Sequence, residues 1–188
     1  MLGITKRFVA VIGPFLANSA VGRFAQRQGG VAAVEFALVA APFLGLLFAI
    51  LETGMVLLAG QTLQTAAVQS ARQILTGQAQ TNGLSAGQFQ NVVCGNISSL
   101  FNCASVYVNV QTYASFGSVS MLNPVTSGDF NAGSMNYNPG GPGDIVVVQL
   151  FYQWPIIVPV PSLANLNGGK RLLVATAAFR NEPYKTGP

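Results

Sequence analysis

Histidine is absent from this chain, charged side chains make up only 7% of it, and cysteine occurs twice. Each scarcity removes a class of function. Without histidine, a serine or cysteine nucleophile lacks its usual base. Two of the five acids, Asp129 and Asp144, stand in Gly/Pro-rich stretches where aspartate is ordinarily a turn residue. No catalytic set can be assembled, so the chain reads as a non-enzyme. Two thiols, Cys94 and Cys103, cannot complete a zinc site by themselves. Gly140-Gly141-Pro142-Gly143 lacks the Lys-Ser/Thr and the following helix that a phosphate loop needs. No cofactor or metal is therefore expected. Leu57-Leu58-Ala59-Gly60 imitates a lipidation signal, but the next residue is Gln61 rather than cysteine.

The net charge of +4 invites a nucleic-acid reading that its distribution rejects. Lys6, Arg7, Arg23 and Arg27 precede every acid in the chain. From Val31 onward, Arg72, Lys170, Arg171, Arg180 and Lys185 balance Glu35, Glu52, Asp129, Asp144 and Glu182. The excess is a basic leader, and no nucleic-acid partner is implied. Positive residues stay on the cytoplasmic side of a membrane, so residues beyond the next apolar run should face the periplasm or the cell exterior.

That run extends from Phe36 to Gly60, with Glu52 its one charge. Twenty-five residues at ~1.5 Å each reach roughly 37 Å, enough to cross a ~30 Å hydrocarbon core with tilt. The helix should continue to about residue 76, where Gly77 and Asn82-Gly83 break it. Pro42 removes one ladder bond inside it, which predicts a kink or local loosening. Beyond the membrane, Leu63, Ala66, Ala67, Ser70 and Ile74 form a stripe that must pack on something. Glu35 stands at the mouth of the run, where a carboxylate is costly and marks a functional site. Glu52, seventeen residues on, lies on a different face. It either meets water at the periplasmic interface or contacts a polar group of another subunit. Phe8 to Leu16 is too short to span, although it has the length of a signal-peptide core.

The segment Gly29-Gly30-Val31-Ala32-Ala33-Val34-Glu35-Phe36-Ala37-Leu38, with Pro42 and Glu52 behind it, resembles the start of type IV pilin-like proteins. The closer likeness is to the TadE-like pseudopilins of the tight-adherence (Tad, or Flp) pilus. The tail Ala178-Phe179-Arg180-Asn181-Glu182-Pro183-Tyr184 resembles the end of such chains. The resemblance implies a leader, residues 1–30, cut by a prepilin peptidase between Gly30 and Val31. Val31 would then be the first mature residue, Glu35 the fifth and Phe36 the sixth. It also implies methylation of the new amine and assembly through the N-terminal helix, with Glu35, Phe36 and Glu52 as the processing and assembly residues. The implied partners are the peptidase, other Tad pseudopilins and the major pilin, the inner-membrane Tad assembly platform and the lipid bilayer. The implied setting is the inner membrane, crossed once, with incorporation into the extracellular pilus and a role in adhesion and biofilm formation. An uncleaved single-pass protein displaying a periplasmic binding or adhesion domain is the alternative.

Residues 77–188 read as an α+β domain with a small antiparallel sheet, pilin-like once joined to the long helix. Ser85-Ala86-Gly87-Gln88 is a capping box opening a short helix through about Val93. Strands are predicted at Val106–Gln111, with Val106, Val108 and Val110 on one half-buried face, at Ile145–Trp154 and at Leu172–Phe179. In an oxidising compartment Cys94 and Cys103 pair as one disulfide; the alternative is two reduced thiols. The turn-rich stretch at about 113–143 is long for a compact domain, hence functional or mobile. Trp154-Pro155-Ile156-Ile157-Val158-Pro159-Val160-Pro161 is apolar but studded with proline, which rules out a regular helix or central strand. It is either a buried connection or an exposed patch that meets the bilayer or another subunit.

Overall fold

The computed structural model describes residues 30–97, 99–158 and 163–184. The leader before Gly30 and the prolines at 159 and 161 lie outside them. The chain is an apolar helix followed by a small α+β domain with an antiparallel sheet. Contacts divide it after Phe48, into a unit ending there and a second one, Ala49–Pro188.

Helix α1 covers Val31–Leu75 and contains Pro42 without an interruption of the helical assignment. Proline lacks an N–H, so the carbonyl of Leu38 loses its ladder partner there. From Val31 through Leu51 no residue is buried; the first buried one is Glu52, followed by Val56, Ala59, Leu63, Ala66, Ala67, Ser70, Ala71 and Ile74. The predicted stripe is thus the inner face of α1, and it begins earlier than the apolar run ends. Thr53, Thr62, Thr65, Ser70 and Thr76 each donate a hydroxyl to the carbonyl four residues back. Those polar groups therefore need no outside partner. After α1 come α2 (Gln78–Thr81) and α3 (Ala86–Gly95), the latter opened by the reciprocal Ser85–Gln88 capping box.

Strands β1 (Val106–Tyr113), β4 (Ile145–Pro155) and β5 (Lys170–Arg180) form one antiparallel sheet in the order β1-β4-β5. Alternation puts Val106, Val110, Val146, Val148, Leu150 and Tyr152 on the face packed with α1 and α3. Ala175 and Ala177 belong to the same cluster as Ala59, Ala66, Ala67 and Ala71 of α1. Small residues on both surfaces let helix and strand approach closely, which is why β5 is poor in β-branched residues yet holds its place.

The second face of the sheet differs from the half-buried expectation. The stretch between β1 and β4, with the two-residue strands β2 (Val125–Thr126) and β3 (Asp129–Phe130), covers it. Tyr107, Phe151 and Leu172 from the sheet meet Leu122, Val125, Phe130 and Met135 there. Two buried amides directly opposite each other, Asn109 and Gln149, pin the cover. Gln149 bonds both backbone groups of Leu122, and the Asn136 N–H donates to Asn109 Oδ1 at 2.9 Å. The long stretch is a structural layer. Trp154 ends the predicted strand as expected, and Pro155 extends it by one residue; the two pair with Arg171 and Lys170. Proline is tolerated because β1 ends opposite Tyr152, leaving that part of β4 without a neighbour on its other side.

Cys94 and Cys103 are joined as a disulfide, with Cα atoms 5.6 Å apart, tying the end of α3 to the turn before β1. Gln90 adds a second tie, donating from Nε2 to the carbonyls of Cys103 and Val106. Closing so short a loop removes freedom mainly from the unfolded chain, a contribution of about 2–3 kcal/mol. Replacing both cysteines by serine should therefore lower the urea-unfolding free energy of detergent-solubilised protein by about that amount. An unchanged midpoint would show that the unfolded chain is not constrained by the bond.

Candidate functional site

Helix α1 starts at Val31, so the Gly30–Val31 peptide lies at its N-terminus. The first turn holds no acid. Glu35 follows four residues after Val31 and therefore shares its face of the helix. Val31, Val34 and Glu35 are exposed, and Phe36 is 75% exposed. Residues 31–48 present an apolar helical surface, with Leu38, Val39, Phe43, Leu46 and Phe48 all exposed. Helix α1 is long enough, and in part apolar enough, to cross a membrane.

Residues 30–72 match the model of a protein family described as TadE-like protein. This segment is TadE-like. The match is consistent with a TadE-like protein of the Tad pilus, and it covers Gly30, Val31, Glu35, Phe36, Pro42 and Glu52. No curated protein and no solved structure matches the chain.

Within the TadE-like segment the two carboxylates sit in unlike surroundings. Glu35 is open on all sides of a bare helix, whereas Glu52 is 7% exposed. Glu52 Oε1 accepts a hydrogen bond from the Ile157 backbone N–H at 3.3 Å. Neither sequence-based reading of Glu52 included a partner in its own chain. A signal was present: prolines at 155, 159 and 161 lack N–H groups, so the run's few donors must find acceptors along an apolar surface. A second peg lies further along α1, where the Gln64 side-chain amide bonds both backbone groups of Thr176. This closes part of the outer edge of β5, which would otherwise present open ladder groups.

A third peg is the tail after β5. The Glu182 N–H donates to the carbonyl of Leu75, the last residue of α1. Asn181 is buried, its N–H bonded to the Asp144 carbonyl and its Nδ2 to the carbonyls of Pro139 and Gly141. Tyr184 covers Gly77. Burial, then the nearby Asp144 carboxylate, raise the Tyr184 phenol above its ordinary value of 10.0. Among the described residues, no group of three or more His, Cys, Asp or Glu side chains could hold a metal ion.

Proposed function

We propose that this chain is a minor pseudopilin of the Tad pilus, held in the inner membrane by α1 with its domain in the periplasm. A prepilin peptidase releases residues 1–30 by cutting after Gly30. Support comes from the TadE-like match over residues 30–72, which carries the Gly30-Val31 junction and Glu35 at the start of a bare apolar helix. Glycine at the scissile position lets a peptidase approach the backbone closely.

Cleavage creates an ammonium on Val31, at the positive end of the helix dipole, where a cation is unfavourable. Glu35, one turn on, is placed to offset it within the chain or on a neighbouring helix. A carboxylate with no partner on a lipid-facing helix is costly. Pairing it with an incoming subunit's amine turns that cost into a preference for one axial stagger during assembly. The reading places the chain in pilus biogenesis, with adhesion and biofilm formation as its consequences. Initiation, tip capping and scaffolding use the same helix chemistry.

Glu35→Ala should leave processing intact while co-purification with the other Tad pilins falls by about tenfold or more, the loss of one paired charge in an apolar setting. Pull-down of the tagged mature protein from membranes measures it. Wild-type recovery of partners with the alanine variant would remove Glu35 from assembly.

A further inference from the structure

After α1, few large apolar side chains stay exposed among the described residues: Phe116, Met121, Ile157 and Val174. Two of them, Phe116 and Met121, share one loop just past the end of β1. Phe116 is 58% exposed, yet the loop around it is tied. Ser118 Oγ accepts from the Ser115 N–H and donates to the Ser115 carbonyl, and the Tyr113 hydroxyl donates to the Ser120 carbonyl at 2.6 Å. A ring displayed on a turn held in this way gives up little freedom when it is covered.

A matching hollow lies across the sheet. Between the end of α1 and the end of β5 is a groove of about 450 Å³, with Val68, Ala71 and Leu75 on one wall and Ala177 and Phe179 on the other. Beyond Leu58, Val68 is the one large apolar residue of α1 left exposed, at 55%. A cavity of ~150 Å³ can hold a benzene ring, so the groove has room for a phenyl side chain. Arg72 and Glu182 also line it, and the loop from Ala114 to Met121 carries no charge to oppose either. Ring and groove stand at the same end of the sheet: β1 ends at Tyr113, opposite Ile145, which in turn stands opposite Arg180. They flank its two different edge strands, β1 and β5.

We infer that this chain docks on a second copy of itself, the Phe116 ring of one copy entering the α1–β5 groove of the next. Copies standing side by side with parallel helices bring the two patches together without an axial shift. The contact uses a different patch on each partner, so it repeats from copy to copy instead of closing a two-fold pair. An aromatic side chain buries ~150–250 Å², far below the ~1,200–2,000 Å² of a stable interface. The docking therefore orders copies that a shared bilayer already concentrates, and in this it rests on the reading of α1 as a membrane-crossing helix.

The test uses full-length protein with the photo-crosslinker benzoylphenylalanine at position 116. Light and isotope-heavy preparations are reconstituted together in phosphatidylcholine vesicles, washed with alkaline carbonate and illuminated, and the joined peptides are mapped by mass spectrometry. Mixed light–heavy pairs should link position 116 to the groove residues of α1 and β5. Val68→Asp should cut their yield about tenfold or more. Its urea midpoint should stay at the wild-type value, because Val68 lies outside the core. Same-label pairs alone, attachment to lipid, or attachment elsewhere on the chain overturns the inference and leaves the pseudopilin reading standing. An undiminished yield with Val68→Asp does the same. Extraction of the protein by carbonate defeats the membrane-crossing reading, and the inference with it.

Discussion

Phe89→Ala should destabilise the domain by about 3–5 kcal/mol, the usual range for deleting an aromatic ring from a packed core. Phe89 is 0% exposed and belongs to the cluster that joins α1, α3 and the sheet. Its ring lies 5.6 Å from that of Tyr137, in the segment that runs beside β1 and bonds both backbone groups of Val110. One side chain therefore links three layers, and a cavity there cannot close without moving the sheet. The same ring keeps Tyr137 dry, and burial raises the Tyr137 phenol above its ordinary 10.0. A raised phenol is lost from the unfolded chain first as pH rises, so stability holds up to pH ~10 and falls above it. In Phe89→Ala the phenol should titrate closer to 10 and the alkaline fall should shrink. Urea melts across this range, with ultraviolet titration of tyrosine, check both. A variant within 1 kcal/mol of wild type would mean that the ring is not packed as described.

Gly77→Ala should cost about 2–3 kcal/mol, from two separable causes. Gly77 has φ +77°, the left-handed conformation that ends α1, and an alanine there loses about 1–2 kcal/mol. A Cβ would also overlap the ring of Tyr184, which packs directly on the glycine. Displacing that ring loosens the tail whose Glu182 N–H caps the Leu75 carbonyl. In a Tyr184→Ala background the second cause is absent, so the same substitution should cost only the conformational part, about 1–2 kcal/mol. Equal costs in the two backgrounds would show that the tail does not depend on this glycine.

The parts legible from sequence were those with a local code. The periodic stripe of α1, the Ser85–Gln88 box, the valine alternation of β1 and β4 and the cysteine pair each follow from neighbours a few residues apart. The cover over the second sheet face was not legible. Its strands are two residues long, and its anchors, Asn109 and Gln149, lie forty residues apart. Buried amides there look in sequence like the solvent side of an ordinary strand. The Glu52–Ile157 and Gln64–Thr176 pegs join residues more than a hundred positions apart, beyond any pattern of spacing. The proposed Gly30–Glu35 junction involves residues that lie within about one turn and a half of chain, so its residues stand together in the sequence. The tail's contacts were hidden, because Asn181 and Glu182 bond groups about forty to a hundred positions away.

The central claim is that Gly30–Val31 is a processing junction of a pseudopilin, and intact mass tests it most directly. The protein is co-expressed with a prepilin peptidase, extracted from membranes and weighed beside Gly30→Leu and Glu35→Ala. Wild type and Glu35→Ala should have lost residues 1–30, while Gly30→Leu keeps them. If all three retain the leader in the presence of an active peptidase, the chain is an uncleaved membrane-anchored domain and the pseudopilin account is wrong.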